Sequence, residues 1–474
     1  MFKKLLVAVL LLMTTIGAES LLPEAGNAET APRYVILLIA DGWGYKHLEA
    51  AEGYSGQTAD YQSWQHLAMA TWDLDTQRYH DGVGYDPERF WSEFDYATAA
   101  YTDSASSATA FYTGMKTDAG NISVGPGDVT RLKTIGEYAA EAGLASGVVT
   151  SVYLSHATPA AWYAHNDARQ NGYAIFDEGV WSEAGVGSHG STTALPTVMI
   201  GAGHPVWNDD YINSDQLLRL RGDCFVNPRW SLVERIEGDG SAGERLIAAA
   251  ADSDTERLFG LFGGEYGCFD WQLADGSENN PENPTLAECA TAAIAVLERD
   301  PDGFALMIES GATDWASHSN YLDGMLGELF AFNDAVETVS DWVENPANGS
   351  SWENTLVLVA GDHECGYLTA GVGVLPDKPL GEVSPRTLAL ETEYDDDGHR
   401  AAWEDGNGNG FIDSDEEVYW AWNSGSHSNS LIPLYARGHG AELLRGYAIG
   451  EDPARGRYLD NTALFNVMLT AFSW

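Results

Sequence analysis

Seven short apolar runs constrain this chain more than anything else in it. They are "YVILLIA" (34–40), "ASGVVT" (145–150), "PTVMIG" (196–201), "RLFGLF" (257–262), "GFALMIE" (303–309), "TLVLVAG" (355–361) and "LIPLYA" (431–436). Each is a continuous run of aliphatic and β-branched residues rather than an apolar–polar alternation, the pattern of a strand covered on both faces. Helical patterns such as "RLKTIGEYAAEAG" and "PTLAECATAAIAVLERD" lie between them. Alternation of this kind predicts an α/β fold, a covered and largely parallel sheet with helices on both faces.

Several of these runs end in metal-binding residue types. Asp41 follows the first, Glu309 closes the fifth, and Asp362-His363 follow the sixth. In open α/β sheets ligands bind beyond the carboxyl ends of strands, so these groups should share one crevice. A lone Asp there is usually a turn former; three ends carrying hard ligands are harder to dismiss. Beyond Glu309, Asp314 and His318 stand four residues apart, on one face of a helix, a pairing that suits zinc. His427 sits among small polar residues just before the run at 431–436, read as the final strand. Because these ligands come from both ends of the chain, residues 34–474 are read as a single catalytic domain, against the roughly three that length alone suggests.

The amino terminus reads as an export signal over residues 1–20. Lys3 and Lys4 precede the apolar stretch "LLVAVLLLM", which is too short to span a bilayer, and Ala18-Glu19-Ser20 or Ala28 offers a cleavage site. The expectation is a periplasmic or secreted protein, with no membrane partner after export. In that compartment Cys224, Cys268, Cys289 and Cys365 allow two disulfides with three connectivities, or Cys365 stays a thiol. Against 24 Lys and Arg stand 71 Asp and Glu, a net charge of −47, which repels nucleic acids and suits a salty medium. An anionic substrate must be drawn in locally, by metal ions or an arginine.

Six ordered segments carry a resemblance: "DGWG" at 41, "TDSASSATA" at 102, "HATPAAWYAHNDAR" at 156, "ESGATDWASH" at 309, "AGDHE" at 360 and "SGSHSN" at 424. From about residue 34 to the C-terminus the chain resembles the alkaline phosphatases. The resemblance implies a three-layer sandwich, a homodimer, and hydrolysis of small phosphate monoesters through a phosphoserine on Ser104. It implies two Zn2+ and one Mg2+: Asp314, His318 and His427 for the first zinc; Asp41, Asp362, His363 and the Ser104 oxygen for the second; Asp41, Thr158 and Glu309 for magnesium. Arg169 is implied as the phosphate clamp and Asp103 as the group that holds it.

The chemistry of the residue types agrees. A metal pair roughly 4 Å apart stabilises both the attacking and the leaving oxygen of an in-line displacement. Imidazole with carboxylate suits zinc, and an all-oxygen set suits magnesium. Arginine matches two phosphate oxygens with a planar fork. Small residues behind Ser104 let its helix pack against the ligand loops. His156 and Trp315 depart from the best-known bacterial relatives, which carry Asp and Lys there; both are expected near the phosphate and the third metal.

Between His363 and His427 lies an acidic insertion (369–424), of the kind that forms a lid or crown. Within it "DGNGNGFIDSDE" matches a Ca2+ loop, with Asp405, Asn407, Asn409, Phe411 through its backbone, Asp413 and Glu416 as ligands. Related activities fit less well. A sulfatase needs a modifiable Cys or Ser followed by Pro-x-Arg, which "SASSA" lacks, and diesterases of this superfold generally use Thr. An exported metal- or phosphate-binding protein needs no serine beside the metal pair.

Overall fold

All seven apolar runs form strands of one eleven-stranded sheet in the computed structural model, which describes residues 34–79, 84–269, 272–370, 401–403, 406–408 and 418–472. In chain order the sheet uses β1 (Tyr34–Ala40), β2 (Gln65–Ala70), β3 (Ala145–Tyr153), β4 (Val198–Ala202), β5 (Trp230–Glu234), β6 (Arg257–Phe262), β7 (Phe304–Ser310) and β8 (Thr355–Ala360). Two short strands, β9 (Glu364–Cys365) and β10 (Thr369–Ala370), lead into the insertion, which contributes β11 (Ala401–Trp403) and β12 (Val418–Ala421). After β13 (His427–Ser428) the chain returns to the large sheet with β14 (Ile432–Gly438), β15 (Ala448–Asp452) and β16 (Gly456–Asp460).

The spatial order is β15-β16-β2-β14-β8-β1-β7-β3-β4-β6-β5. From β8 to β5 every neighbouring pair is parallel. Successive residues of β1 feed opposite layers: Tyr34, Ile36, Leu38 and Ala40 join one buried cluster, and Val35, Leu37 and Ile39 the other. Each face of the sheet is thus covered by helices, which makes the three-layer sandwich.

Two sequence readings are corrected here. The run at 431–436 is no parallel strand: β14 lies antiparallel to both β8 and β2. Nor is it the last, since β15 and β16 follow it. The strands without a sequence signal are β2, β5, β15 and β16, which lie at or toward the sheet's edges and are partly exposed.

The described cysteines form no disulfide. They sit on separate elements: Cys224 and Cys289 in the helices Ser214–Val226 and Leu286–Leu297, Cys365 in β9, and Cys268 packed with Val152 and Ala312. Among the described residues no helix is long and apolar enough to cross a membrane. The export segment lies outside the described residues. So do Asp405, Asn409, Phe411, Asp413 and Glu416 of the calcium motif, and Asn407 is exposed.

Candidate metal and phosphate site

Four adjacent strands, β8, β1, β7 and β3, point their carboxyl ends at one crevice. Asp41 follows β1, Glu309 is the penultimate residue of β7, and Asp362 and His363 follow β8. His156 and Thr158 lie at the start of the helix Ala157–Tyr163 that follows β3. The helix Ala312–His318 places Asp314 and His318 on one face, as their spacing predicted. Close approach is built in at Gly42, which takes φ +73°; a Cβ there would stand 2.7 Å from Asp314 Oδ1.

The donors collect into three groups, each with its ligand atoms within 4.8 Å of one another. Asp314, His318 and His427 form the first, joined by Cys365; Asp41, Asp362 and His363 form the second; Asp41, Glu309 and His156 form the third. In the first, His318 Nε2 and His427 Nε2 face each other at 3.0 Å, 3.3 and 3.5 Å from the two Asp314 oxygens. Backbone carbonyls take the other imidazole nitrogens: His318 Nδ1 lies 2.7 Å from Gly425 O and His427 Nδ1 2.8 Å from Thr102 O. Such contacts fix the tautomer and turn Nε2 toward the centre. In the second, His363 Nε2 stands 3.5 Å from Asp41 Oδ1 and 3.2 Å from Asp362 Oδ2. The His363 and His427 rings stack at 3.6 Å, tying the two groups together.

Whether metal ions fit can be read from what these groups lack. Asp41 Oδ1, Glu309 Oε1, Asp314 Oδ1, Asp362 Oδ2, His156 Nδ1 and His363 Nδ1 are buried without a hydrogen-bond partner. Burying several such atoms in one crevice is costly unless a cation completes them. Burial, reinforced by the neighbouring carboxylates, pushes Asp41 well above the ordinary carboxylate range. It likewise pushes Asp362 and Glu309 up to about 7. Asp314 differs: burial opposes its charge, but His318 and His427 hold its carboxyl well below that range. Burial lowers His363 and His427, which favours the lone-pair form, whereas Asp314 raises His318 to about 9, so that a cation bound there would displace its proton. A carboxylate-rich set with imidazoles of this kind fits divalent cations.

Ser104 opens the helix Ser104–Thr113, all ten residues of which are buried. Its Oγ lies 3.1 Å from His363 Nε2, at the edge of the second group. The small residues Ala105 and Ala108 share a cluster with Ala157, Ala160 and Ala161 of the next helix, which lets the two helices approach closely. Asp103 caps the Ser104 helix by accepting from Ser106 N at 3.0 Å, and its Oδ2 accepts from Arg169 Nη1 at 2.9 Å and Gly120 N at 3.1 Å. Burial opposes its charge, yet Arg169 and these bonds hold Asp103 at about 2. Ser104, Arg169, His156, Trp315 and the first group line an open cavity of about 320 Å³. A larger cleft of about 430 Å³ beside Tyr61, Trp64 and Phe330 holds none of the grouped donors.

The third group gathers the expected oxygens with a nitrogen beside them. Thr158 Oγ1 donates to Asp41 Oδ2 at 3.3 Å, but the nitrogen of His156 also falls within the donor set, which is therefore not all oxygen. His156 Nε2 also meets Arg169 Nη2 at 3.1 Å, and its ring packs edge-on to Trp315 at 5.6 Å. Burial and the adjacent guanidinium lower His156 to about 3. Sequence reasoning missed Thr150, whose hydroxyl hydrogen-bonds Glu309, and Tyr101, edge-on to His427 at 5.6 Å. Cys365 follows Asp362 by three residues in sequence, whereas the structure brings its thiol to the first group.

Comparison with known proteins agrees with this geometry. The profile of the family described as alkaline phosphatase matches residues 32–199 and 231–472. A streptomycin-6-phosphate phosphatase of Streptomyces griseus is 29% identical, with 98% of this chain and 95% of its own length aligned. Alkaline phosphatase 4 of Bacillus subtilis is 25% identical over 74% of this chain and 75% of its own. The solved alkaline phosphatase of Thermus thermophilus shares the fold with a TM-score of 0.63 at 21% identity, covering 96% of each chain. A profile match over most of the chain, on a fold whose strand ends converge on buried metal-binding groups, makes this protein a hydrolase of the alkaline phosphatase family.

Proposed function

We propose that the protein hydrolyses phosphate monoesters through a phosphoserine on Ser104, with the phosphate held by Arg169. The observation that carries this reading is the Ser104 hydroxyl 3.1 Å from His363 Nε2, in a cavity shared with the Arg169 guanidinium. Two zinc ions held by the first and second groups, and magnesium at the third, would supply Lewis acidity and neutralise phosphate charge.

The chain's own residues do the rest. Arginine has five N–H donors; Arg169 commits one to Asp103 and one to His156, leaving the others for phosphate oxygens. Asp103 fixes that fork and, as the helix cap, also fixes where Ser104 begins. Ser104 must lose its proton before attack, and its place at a helix N-terminus favours the anion. The new Oγ–P bond forms as the ester oxygen leaves as an alcohol. Water then attacks phosphorus from the side of Asp314, His318 and His427, breaking the Oγ–P bond and restoring the serine. The streptomycin-6-phosphate phosphatase among the relatives supports a monoester substrate. The amino-terminal pattern supports export, and the family resemblance supports a homodimer.

The test combines two measurements. Wild type quenched in acid after labelled phosphate should retain label, and Ser104→Ala should retain none and lose on the order of a thousandfold or more in kcat. Nitrophenyl phosphate turnover should stop on chelation and return with zinc and magnesium. Label trapped on the alanine variant, or turnover indifferent to chelation, would refute the reading.

A further inference from the structure

We infer that Cys365 gives its sulfur to the same metal centre as Asp314, His318 and His427. The inference rests on the proposal that those three residues hold a metal, and adds a donor of a different kind. All four ligand atoms lie within 4.8 Å of one another. Zinc bonds run about 2.0 to 2.3 Å, so donor atoms this close need only small side-chain rotations to share one ion.

The backbone explains how the thiol arrives there. Cys365 N donates to Gly42 O at 2.9 Å, and the residue pairs directly with His427 in the β9/β13 ladder. Directly opposed residues of an antiparallel ladder project to one face, so thiol and imidazole are delivered together. Cys365 is fully buried and in no disulfide. A thiol kept for packing sits among apolar side chains; this one faces a carboxylate and two imidazoles. Its neighbour Asp314, with which the thiol hydrogen-bonds, also carries a buried Oδ1 without a hydrogen-bond partner.

Cys365 does not line the cavity that holds Ser104 and Arg169, whereas Asp314, His318 and His427 do. The thiol therefore approaches the group from the side away from that cavity. On binding, the S–H proton passes to solvent as the sulfur–metal bond forms, with no change of oxidation state. A sulfur donor biases the centre toward zinc, cobalt and cadmium and away from magnesium and manganese.

Cobalt exchanged into the wild-type holoenzyme tests this without reference to turnover. Wild type should show visible d–d absorption together with a near-ultraviolet sulfur-to-cobalt charge-transfer band. Cys365→Ser should keep the former, lose the latter, and prefer cadmium over zinc roughly tenfold less. The second group contains only nitrogen and oxygen donors, so the band reports the first. Cobalt d–d absorption in wild type without the charge-transfer band, or a band that survives in Cys365→Ser, would overturn the sulfur assignment alone. Absence of any cobalt absorption would overturn the metal-centre proposal as well.

Discussion

Replacing Asp103 by Asn should cripple phosphate binding by releasing Arg169, without unfolding the helix that carries Ser104. The amide oxygen can still accept from Ser106 N, but an NH2 group then stands where Oδ2 accepts from Arg169 Nη1 and Gly120 N. Holding Asp103 at about 2, against an ordinary value of 3.8, corresponds to about 2.5 kcal/mol. That is a factor of roughly fifty at about 1.4 kcal/mol per tenfold. Part of it comes from the helix cap, which Asn retains, so the inhibition constant for inorganic phosphate should weaken tenfold to fiftyfold. Arg169→Ala should weaken it at least as much, and the double variant should be no worse than Arg169→Ala within about twofold. Asp103 would then act only through the arginine, and non-additivity is how such dependence appears. The sign of the pH dependence is fixed too. A depressed carboxyl contributes fully above its unfolded value and is lost only as pH falls through about 2. The Asn effect should therefore be flat through neutral and alkaline pH. Additive losses, or an unchanged inhibition constant in Asp103→Asn, would refute this account.

Two further predictions concern the third group and the core. His156→Asp replaces a nitrogen donor by oxygen and should tighten magnesium binding roughly tenfold by calorimetry; an unchanged magnesium affinity would show that His156 is no part of that donor set. Glu328 is buried, which pushes its carboxyl up to about 7, and among the described residues its carboxylate accepts one long bond, from Gln272 N at 3.4 Å. A raised carboxyl is least costly at acid pH and loses stability as pH climbs from 4.5 through about 7. Glu328→Gln should then raise the melting temperature by a few degrees at pH 9 and leave it unchanged at pH 4, with a ceiling of about 3 kcal/mol. Equal effects at both pH values would dismiss the buried charge as the cause.

What the sequence revealed, it revealed through burial. Strands β1, β3, β4, β6, β7 and β8 are buried along their length and mostly apolar because helices cover both faces, and that composition shows in the sequence whichever strands lie beside them. Direction leaves no such trace: a strand buried on both sides looks alike whether it runs up or down, so β14 was misjudged. At the periphery, β5 and β15 mix buried and open positions and carry too little apolar contrast to stand out. Placement in the crevice was legible where a strand end dictates position, at Asp41, Glu309 and Asp362. It failed where the path turns after the strand. Cys365 follows Asp362 and His363 by sequence, but its pairing with His427 swings the thiol round to the neighbouring centre. His156 was expected near the third metal but not among its donors, because spacing cannot tell which of two nearby residues, His156 or Thr158, reaches Asp41 and Glu309.

The two-rung ladder of β9 and β13 has an evolutionary corollary. It clips together the points where the chain departs for its acidic excursion and returns from it, so that His427 is anchored by Cys365 and Ser428 by Glu364. Whatever happens to the length or wording of the stretch between them, the register of the returning histidine is set locally. Trp420 and Trp422 tie part of that stretch into the core, so changes of length are absorbed elsewhere in it while the ladder keeps His427 opposite Cys365.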